Sequence, residues 1–324
     1  MIEISVIIPT YNRKYLLGKL IDSLYNCNFN KQFYEIIVVD DGSSDGTADM
    51  LKRLQSSYSN LFYKGIKNSG PGISRNIGVE LSRGRIVAFL DDDCLVDKSW
   101  FVEIRECLLK NNGPDFVFGK ILPYLPFDYP FFHTWDFHGQ HITTCNAAMK
   151  KGIFIEIGGF DPVLSYWAED CDFVARLKRS GGEIIYNPNM IVTHVTKYIG
   201  FHLRDYIYTS KFWKQHDYLF SKNPDLSHKS FHIDLLRRNT KKIIIFFTVL
   251  LLAAILNNVL ILLPLFLVIF LRNYLRVQNI IIKGKDKNLS IKPSDSFKYI
   301  FFSWLVDPVN LILFLRHRLS LLLK

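Results

Sequence analysis

Apolar and polar positions change period along the chain, and each change marks an element. Ile2 to Ile8 is a short β-rich run that stops at Pro9. Leu16, Leu17, Leu20, Ile21 and Leu24 then recur at three- and four-residue spacing, which predicts a helix with one buried face. Glu35 to Val39 predicts a second buried strand, closed by Asp40-Asp41-Gly42-Ser43. Asp45 is placed to cap the helix that follows through Met50, Leu51 and Leu54. Leu61 to Tyr63 is a weak third strand, and Gly70 to Leu81 a helix opening on a Gly-Pro-Gly turn. Arg85 to Leu90 is a fourth strand running directly into Asp91-Asp92-Asp93. Strands alternating with helices mean βαβ units, hence an α/β fold with a mostly parallel sheet. Ligands of such sheets sit at the carboxyl ends of the strands. Three strands here end in polar clusters (Pro9-Thr10-Tyr11-Asn12, Asp40-Asp41 and Asp91-Asp92-Asp93), and all three should share one edge.

Residues 115–196 are less regular. Tyr124 to Phe137, crowded with aromatics and prolines, reads as a long loop. Cys145 to Met149 predicts a strand, and Glu169 to Ser180 a helix ended by Gly181-Gly182. Glu183 to Tyr186 and Met190 to His194 look like two closing strands.

After about residue 230 the pattern turns apolar. Ile243 to Leu271 is 29 residues without a charge, bracketed by Arg237, Arg238, Lys241 and Lys242 before it and Arg272 and Arg276 after. As one helix it would be about 43 Å long, against a hydrocarbon core of about 30 Å. Asn257-Asn258 and Pro264 interrupt it. A hairpin turning at Asn257-Asn258 keeps both basic flanks on the cytosolic side, in line with the positive-inside tendency, and is the favoured reading over a single span. Tyr299 to Leu315 is a second apolar run, interfacial or spanning. The expected division is therefore a catalytic domain over 1–230 and a basic, hydrophobic, membrane-associated helical region over 231–324.

Charge sharpens this division. Residues 1–196 hold 20 Lys+Arg against 23 Asp+Glu, and residues 197–324 hold 20 against 7, so the formal charge of +10 lies wholly in the second part. Basic residues that bracket apolar runs point to an anionic membrane surface and not to nucleic acid. The start, MIEISVIIPTYN, has no basic segment before an apolar core, so the catalytic part is expected on the cytoplasmic face. Five cysteines without a C-x-x-C pair argue against a disulfide scaffold or zinc ribbon.

Three consecutive carboxylates at a strand end are costly unless something positive sits among them. Mg²⁺ or Mn²⁺ favours oxygen ligands and commonly bridges carboxylates to substrate phosphates. With the strand Ile86–Leu90 leading in, Asp91 and Asp93 are expected to point to one side and Asp92 to the other. Asp40-Asp41-Gly42-Ser43 reads as a plain turn or as the source of a carboxylate that accepts from a base ring N–H, while Tyr11 could stack on that base and Arg75 could neutralise a phosphate. Asp170, in Glu169-Asp170-Cys171-Asp172, could serve as a general base or as an ordinary helix-dipole partner. His194 could be a further metal ligand or a structural histidine. His133, His138 and His141 lack partners for a tetrahedral zinc set. No G-x-x-x-x-G-K-[ST], G-x-G-x-x-G or G-x-S-x-G is present, which argues against a P-loop NTPase, a dinucleotide dehydrogenase or a serine hydrolase.

The ordered series SVIIPTYNR, EIIVVDDGSSDGT, GPGISRNIG, FLDDDC and IGGFD…WAEDCDFVARL resembles the family 2 glycosyltransferases with the GT-A fold, over residues 2 to about 196. The resemblance implies a Rossmann-like sheet flanked by helices and a nucleotide-sugar donor, with a UDP-sugar favoured. Pro9, Thr10, Tyr11 and Asp41 match positions that hold base and ribose, and Arg75 one that faces the nucleotide. Asp92 and Asp93 match the D-x-D-type positions, with Asp93 the ligand of Mn²⁺ or Mg²⁺ and Asp92 near ribose or sugar. His194 matches a metal ligand of some members. Asp170 matches the base that deprotonates an acceptor hydroxyl in inverting members. No Q-x-x-R-W follows Asp170, which favours transfer of one sugar per event over processive synthesis. The expected activity is thus metal-dependent, inverting transfer to a lipid-linked or glycan acceptor at the membrane. The aromatic stretch Tyr124–Phe137 is a candidate for presenting that acceptor. Two alternatives are a sugar nucleotidyltransferase, for which PTYNRK supplies little glycine, and a non-catalytic membrane scaffold, for which the retained carboxylates have no use.

Overall fold

The computed structural model describes residues 1–110, 113–123, 142–165, 168–195, 210–224 and 226. The chain divides into two compact units, one of residues 1–124 and 134–197, the other of residues 125–133 and 198–324. In the first unit β1 (Ile4–Thr10), α1 (Lys14–Tyr25), β2 (Tyr34–Asp40), α2 (Thr47–Ser57), β3 (Leu61–Gly65), α3 (Pro71–Leu81) and β4 (Ile86–Leu90) alternate as the sequence pattern requires. They are followed by β5 (Cys94–Val96), α4 (Trp100–Leu108), β6 (Phe116–Pro123), β7 (Asn146–Lys150), α5 (Lys151–Glu156), α6 (Glu169–Arg179) and β8 (Ile184–His194). The strands form one mixed sheet in the order β3-β2-β1-β4-β7-β6-β8-β5. Its front half, β3 to β4, is parallel throughout, and β7 joins both β4 and β6 antiparallel.

The continuous apolar runs of β1, β2 and β4 arise because both faces of the sheet are covered. Val6, Ile8, Ile36, Val38, Ala88 and Leu90 pack on one face with Leu17, Leu20, Leu24 and Trp100 of α1 and α4. Ile7, Ile37, Val39, Val87 and Phe89 pack on the other with Val79 of α3, Phe160, and Phe173 and Leu177 of α6. Helix α3 lies so close to the sheet that a Cβ on Gly78 would come 2.3 Å from Ile7 Cγ2.

The region from 115 onward is more regular than its sequence pattern suggests. Phe116–Pro123 is a full strand, and the two expected closing strands are one, β8. Asn187-Pro188-Asn189 looks like a turn, yet it is taken up as a bulge. Gly119 pairs with Asn187 and the next residue, Lys120, with Ile191. Asn146 secures this region by accepting from Trp100 Nε1 at 2.9 Å and donating to the carbonyls of Lys120 and Met190.

In the second unit the described element is α7 (Ser210–Lys222), which buries Leu219 and Phe220. No helix among the described residues is long and apolar enough to cross a membrane. The apolar runs 243–271 and 299–315, the loop Tyr124–Phe137, His133, His138 and His141, and the expected 230/231 boundary lie outside the described residues.

Candidate active site

The three polar strand ends meet at one edge, as parallel pairing dictates. Thr10 at the end of β1 is opposite Asp40 at the end of β2. Thr10 Oγ1 donates to Asp92 Oδ2 at 2.7 Å across 82 residues of sequence. A cleft of about 410 Å³ opens there, lined by Pro9, Tyr11, Asp41, Arg75, Asp92 and Glu169 among others.

Each wall has a local cause. Beyond Thr10 the chain turns through Asn12 at φ 53°, a left-handed conformation that asparagine tolerates. Asn12 is tied to the neighbouring loop, its N–H donating to Ser43 Oγ and its Oδ1 accepting from Ser44 N. The N-cap of α2 is Gly46 and not the expected Asp45, which stands one place earlier, accepts from Thr47 N at 3.1 Å and with its other oxygen accepts from Lys14 N at the start of α1. Asp41 accepts from Ser69 N at 2.7 Å and Gly70 N at 2.8 Å, so one carboxylate closes the loop ahead of α3. Tyr11 stands exposed at the rim, whereas Pro9 and Thr10 are buried below it.

The aspartate triplet does not keep strand geometry. It forms a turn, with Cys94 N donating to Asp91 O at 3.1 Å. The expected pairing of Asp91 with Asp93 on one side is therefore corrected: Asp92 and Asp93 converge, and Asp91 turns away. Arg13 Nη1 lies 2.9 Å from Asp92 Oδ1 and 2.6 Å from Asp93 Oδ2. Arg75 Nη2 lies 2.7 Å from Asp91 Oδ1, and its Nη1 2.8 Å from Glu169 Oε1. With a side chain only 4% exposed, Arg75 lines the cleft from beneath, as a clamp between the triplet and the start of α6.

Phe160, Ser165 and Glu169 are all set against α3 or the glycine that precedes it. Asn76 Nδ2 donates to Phe160 O at 2.8 Å, and Asn76 Oδ1 accepts from Phe160 N at 2.9 Å. Gly70, at φ +100° and ψ 162°, has no room for a Cβ, which would meet Ser165 O at 1.9 Å. Replacement of Gly70 by Ala is expected to cost about 2–4 kcal/mol through backbone strain and overpacking. It should also weaken ligand binding in the cleft, because Asp41 holds the same loop. Urea denaturation and binding on the variant check both effects.

Five carboxylates (Asp91, Asp92, Asp93, Glu169 and Asp170) gather around two guanidiniums, Arg13 and Arg75. Their burial, more than their mutual repulsion, shows in the acid strengths. Burial pushes Asp92 up to about 6, with Arg13 pulling the other way and Asp93 adding to the rise. Burial likewise raises Asp93, against the pull of His194 and Arg13. Asp170, on the first turn of α6, is pushed up to about 7 by desolvation and then by Glu169, with Arg75 opposing. Its Oδ1 accepts from Cys171 N at 2.8 Å.

The site fits a divalent cation. Asp93 Oδ1 is buried without a hydrogen-bond partner, and His194 Nε2 lies 3.3 Å from it. His194 is held there because β5 and β8 pair Cys94 with His194, and Val195 N donates to Asp93 O. Cys94 Sγ is also within the same cluster. A buried acceptor without a donor is uncommon in a native interior, and a carboxylate beside an imidazole is a donor set that Mn²⁺ accepts.

Sequence reasoning did not single out Arg13, Glu169 or Cys94. The available signal for Arg13 was the need for a positive charge near three carboxylates, which PTYNRK supplies.

An α/β sheet with a carboxylate-rich cleft at its parallel strand ends, and an acidic helix start beside it, is a setting in which a cation and a phosphate-bearing ligand can be held together. The chain belongs to glycosyl transferase family 2, whose model matches residues 5–170. It is 35% identical over 128 residues to the glycosyltransferase AglE of Haloferax volcanii, a match covering 39% of this chain and 40% of that one. It is 42% identical over 125 residues to a GalNAc(5)-diNAcBac-PP-undecaprenol beta-1,3-glucosyltransferase of Campylobacter jejuni, covering 38% and 39%. The match thus spans about 40% of the length of these curated relatives. In fold it is similar to residues 1–349 of TarS from S. aureus, solved with UDP-GlcNAc, at a TM-score of 0.57 and 20% identity over 72% of this chain and 70% of that one.

Proposed function

We propose that the protein is a metal-dependent, inverting glycosyltransferase that moves one sugar from a nucleotide-sugar donor, a UDP-sugar by preference, to a lipid-linked or glycan acceptor. The observation that carries this reading is a cation-ready carboxylate, Asp93, next in the chain to the cleft residue Asp92, together with a carboxyl near neutral pKa, Asp170, next to the cleft residue Glu169. The relatives' names support the acceptor class, since one is a glucosyltransferase of an undecaprenol-linked glycan.

Tyr11 and Asp41 border the part of the cleft where a base would lie, with Tyr11 offering a ring face and Asp41 its remaining lone pairs. Thr10 keeps Asp92 in place. Asp93 and His194 would hold a divalent cation, which when bound supplies charge to offset that developing on the leaving diphosphate. Asp170 takes the proton of the acceptor hydroxyl as that oxygen bonds to the anomeric carbon and the bond to the diphosphate oxygen breaks. Attack from the face opposite the leaving group inverts the anomeric configuration. Placement of the catalytic part on the cytoplasmic face of a membrane, with the basic apolar region 231–324 as its attachment, belongs to the same proposal and rests on the charge and hydropathy pattern.

Calorimetry of the detergent-solubilised full-length protein with UDP, GDP and dTDP, each with Mn²⁺ and with EDTA, tests the donor reading. One nucleotide should bind in Mn²⁺ and lose most of its affinity in EDTA and in Asp93→Ala. A folded protein that binds none of the three would favour the scaffold alternative.

A further inference from the structure

Arg13 is built unlike Arg75, although both are guanidiniums among the same carboxylates. A guanidinium usually meets one carboxylate with two nitrogens. Here a single nitrogen, Arg13 Nη1, serves two carboxylates at 2.9 and 2.6 Å, the bridging position a metal ion takes between paired acids. The Arg13 side chain is 39% exposed where that of Arg75 is 4% exposed. It also lines two clefts at once, the one described above and a neighbouring one of about 450 Å³ beside α1. Its backbone, by contrast, is held on both sides by Asn12 with Ser43 and Ser44 and by Lys14 with Asp45. The side chain therefore has room on either side while its root stays in place.

Resting on the donor reading above, we propose that Arg13 is a resident counter-ion of Asp92 and Asp93 that gives up this pair to a divalent cation and then engages the donor's diphosphate. Arg13 occupies Asp93 Oδ2 and leaves Oδ1 without a hydrogen bond, facing His194 Nε2 at 3.3 Å, so a cation has a carboxylate oxygen and an imidazole to bind before Arg13 moves. Once the cation neutralises the pair, the attraction that holds Arg13 there is cancelled, and the anion entering the same cleft is the diphosphate. Two cations in turn keep a cluster of buried acids from standing uncompensated, and the arginine ends as a positioning group for the leaving phosphates.

The test uses wild type, Arg13→Ala and Arg13→Lys in the full chain, each checked for folding by near-ultraviolet circular dichroism. Mn²⁺ alone is titrated first, with free ion read by electron paramagnetic resonance. Removing a positive charge next to the pair should tighten Mn²⁺ about tenfold in Arg13→Ala, with Arg13→Lys closer to wild type. UDP and UMP are then titrated in saturating Mn²⁺. Arg13→Ala should lose about tenfold in UDP affinity and much less in UMP affinity, because UMP lacks the second phosphate. Unchanged or weaker Mn²⁺ binding in a folded Arg13→Ala would overturn the counter-ion role, and equal losses for UDP and UMP would overturn the diphosphate role. A wild type that binds no nucleotide would overturn the donor reading together with the diphosphate role, while the nucleotide-free Mn²⁺ titration decides the counter-ion role separately.

Discussion

Asp170→Asn is expected to keep metal-dependent nucleotide binding and to lower sugar transfer by about 10²–10⁴-fold, the usual contribution of a general base. The change is isosteric and removes the proton-accepting oxygen, while the clamp formed by Arg75, Asp91 and Glu169 stays intact. In the proposed mechanism Asp170 acts as a base only when ionised. With its carboxyl held near 7, kcat/KM should fall below neutral pH and level off about one unit above it. That acid limb should vanish in the variant. The same raised value has a consequence for stability of opposite direction. Folding favours the protonated carboxyl, so its contribution is fully present below the ordinary carboxyl value of about 4 and is lost as pH rises through about 7. Asp170→Asn should therefore melt higher than wild type above pH 7, with the gain shrinking as pH falls towards 4. Thermal melts at three pH values, alongside product formation, separate the two effects. Transfer at the wild-type rate would remove Asp170 from the mechanism.

The second large effect is expected at Arg75→Met, which should destabilise the fold by about 3–5 kcal/mol, the cost of stripping one partner from a buried ionic group. Asp91 and Glu169 would then face each other without a cation, 78 residues apart in sequence but joined only through Arg75 in this clamp. Arg75→Lys is no remedy, because one ammonium does not present the two-nitrogen fork that reaches both acids. Combining Arg75→Met with Glu169→Gln should recover part of the loss, since one stranded charge is removed with the cation. Urea unfolding followed by the fluorescence of buried Trp100 provides the readout. Equal stability of Arg75→Met and wild type would show that the clamp contributes nothing.

The front of the fold was legible in the sequence because its signals are local. Runs of β-branched residues ending in polar clusters, separated by one amphipathic helix each, allow little besides parallel strands with their acidic ends on one edge. The site's inner wiring was less legible because its partners are far apart along the chain. Nothing near Asp92 announces that Arg13 stands over it, and nothing near Arg75 announces Glu169. The side to which each aspartate of the triplet points was misjudged because alternation holds only while a chain remains a strand, and this one turns after Leu90. In the rear half, Asn187-Pro188-Asn189 carries every mark of a turn. Only the pairing with β6, with Gly119 and Lys120 absorbing the extra residues, makes it the middle of one strand.

The clip between Asn76 and Phe160 fixes one end of a short stretch of chain, and Arg75 with Glu169 fixes the other. Between these two anchors the chain is itself packed: Leu164 is fully buried, Ser165 O fills the space a Cβ on Gly70 would need, and Ala168 opens α6 in the left-handed region. The start of α6 is thereby keyed to α3, and a substitution that moved either helix would be felt by the other.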